Sequence, residues 1–355
     1  MSHHQYPTEL HTVCDVVRWA MSEMERFDVS LGHGTADYWE EATFLVLRTL
    51  KLPFDRLEAF WNAHLTQDEL WEVLKNIESR VHNKVPAPYL VHEAWLTEHP
   101  FYVDERVLIP RSYIAELLEE GLEPWVEPEN VHTVLDMCTG SGCLAILAQM
   151  AFPKAQVTGA DISADALEVA KINRSKYGLD DTLELVQTDI FSHLGKRKFD
   201  LIISNPPYVT QQAMEELPAE YRHEPALALE AGDDGMDFMR RFMPALKEHL
   251  TENGVAIVEI GDGREAFEAI WPELPRGFRP KKKKTWSLPC APKTFSTCKQ
   301  TLLPMFVRAR LSRALKLFPC SDSNTFRLCA ARVRCTTTSI WSPPMASASR
   351  SSVRT

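Results

Sequence analysis

Between Leu10 and about Lys84 apolar residues return every three to four positions, as in Val13, Val16, Val17, Ala20, Met21 and Met24, and again in Phe44, Leu45, Leu47 and Leu50. That period lays one face of an α-helix against a core, so several helices are predicted. They break at Leu31-Gly32-His33-Gly34-Thr35, at Pro53 and at Thr66, where Glu69 completes a capping box that starts a helix through Ile77. Pro86 and Pro88 are expected to end the region, giving an N-terminal helical domain over 1–88. In 89–111 the pattern changes to short apolar runs: Ala94-Trp95-Leu96, Phe101-Tyr102-Val103 and Val107-Leu108-Ile109. They read as a β-hairpin connector.

After Pro128 short apolar strands alternate with helices. Strands are predicted at 131–136, 155–160, 183–186, 199–204 and 255–260, and helices at 142–151, 163–177, 236–250 and from Arg264 to about Trp271. Strand–helix alternation of this kind builds an α/β fold with a doubly wound, Rossmann-like parallel sheet, expected here over 112–280. No internal repeat is present. Beyond residue 280 no period of 2 or 3.6 is sustained, except in part from Leu302 to Leu317.

Charge sharpens that boundary. Residues 1–279 hold 24 of the 39 Lys+Arg and 48 of the 49 Asp+Glu, a formal charge of −24, whereas 280–355 hold the other 15 basic residues and the single acid Asp322, a formal charge of +14. The cysteines divide too: Cys14, Cys138 and Cys143 in the body, and Cys290, Cys298, Cys320, Cys329 and Cys335 in the tail. The body reads as a protein of a reducing compartment, so a cytoplasmic location is expected. The tail has no C-x-x-C pair and no histidine, which argues against zinc. No apolar run is long enough for a membrane span.

Candidate chemistry lies at two strand ends. The first is Leu135-Asp136-Met137-Cys138-Thr139-Gly140-Ser141-Gly142-Cys143-Leu144-Ala145, where Gly140 and Gly142 permit a tight turn against which a ligand can lie, ahead of a helix N-terminus. Asp161, 21 residues beyond Gly140, stands where an acid takes ribose hydroxyls. The pattern leaves a nicotinamide and another adenosine cofactor open. The second end decides between them: the strand Phe199–Ser204 stops at Asn205-Pro206-Pro207-Tyr208. Prolines lack an N–H, so the turn presents carbonyl oxygens, and the Asn205 side chain adds another. Such a cluster accepts from an –NH₂ group, with Tyr208 able to lie on a planar amide or base. Hydride transfer has no use for it.

Here the chain resembles the S-adenosylmethionine-dependent class I methyltransferases that modify planar amino groups through an (Asn/Asp)-Pro-Pro-(Tyr/Phe) motif. Among them it looks most like the N5-glutamine methyltransferases of large-subunit ribosomal protein L-three. The likeness rests on residues 32–42, 101–112, 135–146, 204–209 and 217–229 and runs from about residue 10 to about 275. It implies S-adenosylmethionine as cofactor, with Asp136, Cys138, Thr139, Gly140, Ser141 and Gly142 around its methionine part, Asp161 at the ribose, Asp189 and Ile190 at the adenine edge, and Asn205 reaching both cofactor and substrate. Asn205, Pro206, Pro207 and Tyr208 would form the catalytic turn for the substrate glutamine. The helical domain would recognise the protein substrate. No metal is required.

Other residues read more plainly. His33, between two glycines, is expected in a loop or interface and not as a catalyst; Cys138 and Cys143 are expected to be small packing residues; Lys196-Arg197-Lys198 is expected to be a solvated turn. Tyr221-Arg222-His223-Glu224-Pro225 is read equally as a segment closing over substrate and as a capping loop. The same acceptor turn suits an adenine amine, so an N6-adenine methyltransferase is the rival activity, disfavoured by the −24 body. A cofactor-binding scaffold without catalysis is the third reading. Enzymes of the resembled family close their sheet with a hairpin not recognisable here past Pro280. A frameshift at Lys281–Lys284 is therefore expected, with 281–355 an aberrant, out-of-frame tail or else a disordered basic arm. In the first case Val255–Ile260 would be left as an unpaired sheet edge.

Overall fold

The computed structural model describes residues 8–123 and 125–272, and the backbone of one further strand at 304–308. The first part is helical: α1 (Val13–Arg26), α2 (Tyr38–Thr49), α3 (Leu57–Phe60), α4 (Gln67–His82) and α5 (Ala87–Val91). Thr12 with Asp15, and Thr66 with Glu69, form reciprocal capping boxes that satisfy the first free N–H groups of α1 and α4. The predicted apolar stripe, including Val13, Val16, Val17, Ala20 and Met24, meets Phe44, Leu45, Leu47, Val73 and Ile77 in one core. The prolines act differently from expectation. Pro86 is the N-cap of α5 and Pro88 lies in its first turn, where a missing N–H costs nothing, so they open a short helix and do not simply end the region.

The connector is the expected hairpin, shifted by two residues in its second strand: β1 (Ala94–Leu96) pairs antiparallel with β2 (His99–Phe101), Ala94 opposite Phe101 and Leu96 opposite His99. Thr97 turns the chain at φ +56°. Then follow α6 (Tyr113–Glu119), β3 (Thr133–Met137), α7 (Cys143–Ala151), β4 (Gln156–Asp161), α8 (Ala164–Lys176), β5 (Leu183–Gln187), β6 (Phe199–Ser204), α9 (Gln211–Glu216), α10 (Asp237–His249), β7 (Leu250–Glu259), α11 (Arg264–Ile270) and β8 (Pro304–Arg308).

The sheet order is β5-β4-β3-β6-β7-β8, the first five strands parallel and β8 antiparallel to β7. Alternate residues supply its two faces. Val134, Leu201, Ile203, Val255 and Ile257 pack with α6 and α7, whereas Leu135, Met137, Ile202, Ala256 and Val258 pack with α10. Strand order reverses between β3 and β6, and in open parallel sheets the crevice outside the carboxyl ends at that point takes the ligand. Met137 pairs with Ser204, and Ser204 with Val258, so the loops leaving β3, β6 and β7 start from one level.

One expectation is corrected. Val255–Glu259 is not an open edge, because Pro304-Met305-Phe306-Val307-Arg308 pairs antiparallel along it. A strand this short gives too few alternations to register as a period, and Pro304 stands at its first position, where an edge strand tolerates a missing N–H. The reading of the remaining tail, as out of frame or disordered, falls outside the described residues. Among those residues no helix is long and apolar enough to cross a membrane.

Candidate active site

The turn after β3 is built from left-handed backbone: Cys138 at φ +63°, Gly140 at +54° and Gly142 at +80°. Gly142 has a second reason to be glycine, since a Cβ there would lie 3.2 Å from the Ala170 Cβ. A Cβ on Gly140 would meet nothing within 4 Å. That side of the turn is open to a ligand.

Asp161, at the end of β4, holds the turn in place. One carboxylate oxygen accepts from Gly140 N–H at 2.8 Å and the other from Ser163 N–H at 2.9 Å. Burial raises its carboxyl above the ordinary range, against these N–H groups, which favour the anion. Each oxygen retains acceptor capacity for a ribose hydroxyl. Asp136 is fully buried beneath the turn, and desolvation raises it from 3.8 to about 7, although the Thr139 hydroxyl donates to it at 2.6 Å. Burial, with Asp161 and Asp136 nearby, raises the Cys138 thiol well above its ordinary value, and burial pushes Cys143 up to about 12. Both thiols are neutral at physiological pH, as suits packing residues. Thr188 N–H donates to the Asp161 carbonyl at 2.8 Å and so draws the Asp189–Ile190 turn, with Ile190 at φ +52°, to the same rim. The half-exposed Asp189 carboxylate meets Arg241 at 2.6 Å.

The turn after β6 lies beside this one, tied by the Ser204 hydroxyl donating to Met137 O at 2.6 Å. Asn205 Nδ2 donates to the Arg111 carbonyl at 3.0 Å, which directs its side-chain oxygen the other way as a free acceptor. Tyr208 is seated against Gly261 so closely that a Cβ there would lie 2.4 Å from the ring, and a Cβ on Gly235 would lie 2.5 Å from the Tyr208 carbonyl. Burial raises the Tyr208 hydroxyl far above the ordinary phenol range.

Behind these turns stand paired charges that no local sequence pattern connects. Glu224 grips Arg111 through two hydrogen bonds of 2.6 and 2.7 Å and also accepts from Ile109 N–H at 3.0 Å. Burial alone would raise its carboxyl, yet the Arg111 bonds and His33 bring it down to about 2. The Arg111 guanidinium lies 5.4 Å above the Tyr221 ring. On the far side of that loop, Arg80 of α4 binds Glu41 at 2.6 Å, Glu220 at 3.2 Å and Ser30 O at 2.7 Å, all three side chains being at most 3% exposed. Ser30 N–H donates to Glu220 at 2.8 Å. Gly32 packs closely under Tyr221, since a Cβ there would sit 2.3 Å from the Tyr221 hydroxyl. His33 lies buried against Tyr221, ring centroids 4.5 Å apart, with Nε2 3.6 Å from Glu224. The segment at 219–224 is thus a bracket between the helices and the strap that meets Asn205, with His33 packed against it. Lys196, Arg197 and Lys198 are exposed as expected.

Glu259, at the end of β7, is also buried. Its Oε1 accepts from the Ser112 hydroxyl at 2.5 Å and from Ile114 N–H at 3.1 Å, capping α6. Desolvation raises it from 4.5 to about 7. A carboxyl raised in the folded state stabilises in its protonated form. The contribution of Glu259 is complete below its unfolded value and lost as pH rises through about 7, a change on the order of 3 kcal/mol. Glu259→Gln should therefore flatten the fall in Tm between pH 5 and 8. Parallel Tm curves for the two proteins would contradict this.

Asp136 Oδ1, Ser141 Oγ and Glu259 Oε2 are buried at this end of the sheet without a hydrogen-bond partner among the described residues. Orphaned buried polar atoms of this kind call for a polar ligand. With the open glycine turn and the acid at the end of β4, they fit a cofactor carrying an amino-acid head and a ribose. Among the described residues no cluster of His, Cys, Asp or Glu is arranged to hold a metal.

Comparison with known proteins agrees. The family described as Methyltransferase small domain matches residues 116–224, from α6 to the buried Glu224. The chain is 52% identical to the ribosomal protein uL3 glutamine methyltransferase of Bordetella pertussis over 267 residues, covering 75% of this chain and 90% of that one. The protein of the same name from Burkholderia pseudomallei is 52% identical over 273 residues (75% and 89%), and that of Francisella tularensis 42% over 267 (75% and 85%). With half of the aligned residues identical across three-quarters of this chain and nine-tenths of such a relative, the chain belongs to the S-adenosylmethionine-dependent ribosomal protein uL3 glutamine methyltransferase family.

Proposed function

We propose that this chain methylates the side-chain amide nitrogen of a glutamine in uL3, the large-subunit ribosomal protein L-three, with Asn205 as the residue that holds the amide. The observation carrying the chemistry is the fixed direction of Asn205. Its Nδ2 donates to the Arg111 carbonyl, so the acceptor Oδ1 faces the other way. When bound, S-adenosylmethionine supplies an electrophilic methyl group. An amide nitrogen is a weak nucleophile because its lone pair is shared with the carbonyl. Accepting its two N–H bonds at Asn205 Oδ1 and the Pro206 carbonyl favours charge building on nitrogen and points the lone pair at the methyl. Transfer would exchange the sulfur–methyl bond of a bound cofactor for a nitrogen–methyl bond, the electron pair staying with sulfur, and the proton that the nitrogen gives up would pass to water. Asp161 and the Gly140–Gly142 turn hold the cofactor, and Tyr208 walls the amide plane.

The helical domain, through the Arg80 and Glu220 bracket, is assigned to the protein substrate. A body of formal charge −24 attracts a basic ribosomal protein and repels nucleic acid, which weighs against the adenine-directed alternative. A cytoplasmic site of action accords with this substrate and with Cys14, Cys138 and Cys143 being free thiols. The test offers labelled cofactor, free uL3 and an adenine-containing RNA together. Label is expected on the protein alone, at a rate that falls with salt. Label in the RNA would overturn the assignment.

A further inference from the structure

An asparagine side chain can serve the reaction in only one of its two flipped orientations. With Oδ1 toward the substrate it accepts from the amide –NH₂; reversed, it offers a donor to a donor and the site fails. What selects the working orientation is the Arg111 carbonyl, an acceptor only, 3.0 Å from Nδ2. A flip would set two oxygens against each other. The position of that carbonyl therefore decides which way Asn205 faces, while the Arg111 side chain itself bonds to Ile109 O and Glu224.

The carbonyl belongs to a four-residue strap, Ile109-Pro110-Arg111-Ser112, held at both ends by buried carboxylates from distant parts of the chain. Upstream, Glu224 spans it with three bonds: Oε1 accepts from Ile109 N–H at 3.0 Å and Arg111 Nη1 at 2.6 Å, and Oε2 from Nη2 at 2.7 Å. Arg111 Nη1 closes the loop onto Ile109 O at 3.2 Å. Pro110 between them has no free φ. Downstream, Ser112 donates to Glu259 at 2.5 Å. The Glu224 side chain is wholly buried, and a paired fork to arginine is geometrically specific in a way that a point charge is not.

We infer that Glu224, acting through its fork to Arg111, is a positioning residue that sets the Arg111 carbonyl and thereby locks Asn205 with its oxygen toward the substrate amide. This rests on the reading of Asn205 as the amide acceptor. It goes beyond that reading by assigning roles to Glu224 and to the Arg111 backbone that it fixes.

A double-mutant cycle on the full chain, assayed with labelled methyl donor and free uL3, separates the two. Glu224→Gln keeps the shape but loses the anion; it should lower kcat by about 10- to 100-fold while the cofactor Kd, read by calorimetry, stays within about twofold. In an Asn205→Ala background, where there is nothing left to orient, the same substitution should cost less than about threefold. Arg111→Lys, which keeps the charge and loses the fork, should repeat the pattern and serves if Glu224→Gln fails to fold. Equal losses in both backgrounds would mean that Glu224 acts on stability or substrate binding, and would overturn the inference. If Asn205→Ala itself left kcat unchanged, the acceptor reading would fall first, a result the cycle reports separately.

Discussion

Replacing Asn205 by alanine should lower kcat by about 100-fold or more while leaving cofactor affinity nearly unchanged, whereas Asp161→Ala should do the reverse. The first removes an acceptor whose bonds strengthen as the amide nitrogen attacks, and loss of one such interaction in a preorganised site typically costs about 3 kcal/mol. The second removes the carboxylate that accepts from Gly140 and Ser163 N–H, the proposed ribose partner, so the turn also loses its support. Single-turnover rates at saturating cofactor, together with calorimetric Kd values, would distinguish the two. Equal effects of both substitutions on Kd would show that the roles have been wrongly divided.

The largest effect on stability is expected at Arg80. Its guanidinium lies between Glu41 and Glu220, and Arg80→Met would leave both carboxylates buried without their cation. Removing one partner from a buried ionic group costs about 3–5 kcal/mol, on the order of 10 °C in Tm for a body of this size. The triple variant Arg80→Met, Glu41→Gln, Glu220→Gln should recover much of that loss, because the penalty lies in the stranded charges and not in the missing attraction. Because Glu220 also fixes Ser30 in the loop before α2, the single variant should lower kcat/KM on uL3 as well. A change below about 1 kcal/mol in a denaturant melt would contradict the account of this hub.

The difference between these two sites explains what could be read from the sequence. Asn205, Gly140 and Asp161 are legible because each stands at a strand end with local punctuation: two prolines, two glycines, an acid at a fixed interval. The parallel strands were legible for the same reason, their apolar runs being bounded by turns, and Phe199–Ser204 was placed to the residue. The bracket was not. Arg80, Glu41, Glu220, Glu224 and Arg111 stand beside no local punctuation of that kind, and their partners lie 39 to 140 positions away, so no local pattern marks them as paired. The short helix α6 was missed as well, since seven residues with Ile114, Ala115 and Leu118 facing inward give less than two full turns of period. The hints are the Tyr221–Pro225 segment, which reads equally as a closing segment and a capping loop, and His33, expected in a loop or interface and found buried against Tyr221.

The most direct test of the account is the location of the transferred methyl. Purified protein, S-adenosylmethionine and free uL3 should yield one methyl group on the side-chain nitrogen of a glutamine, identified by fragmentation of the isolated peptide, with transfer by the Asn205→Ala protein slower by about 100-fold or more. A methyl found on any other atom of uL3, or on glutamine at an undiminished rate with Asn205→Ala, would contradict the assignment of the Asn-Pro-Pro-Tyr turn as the seat of amide methylation.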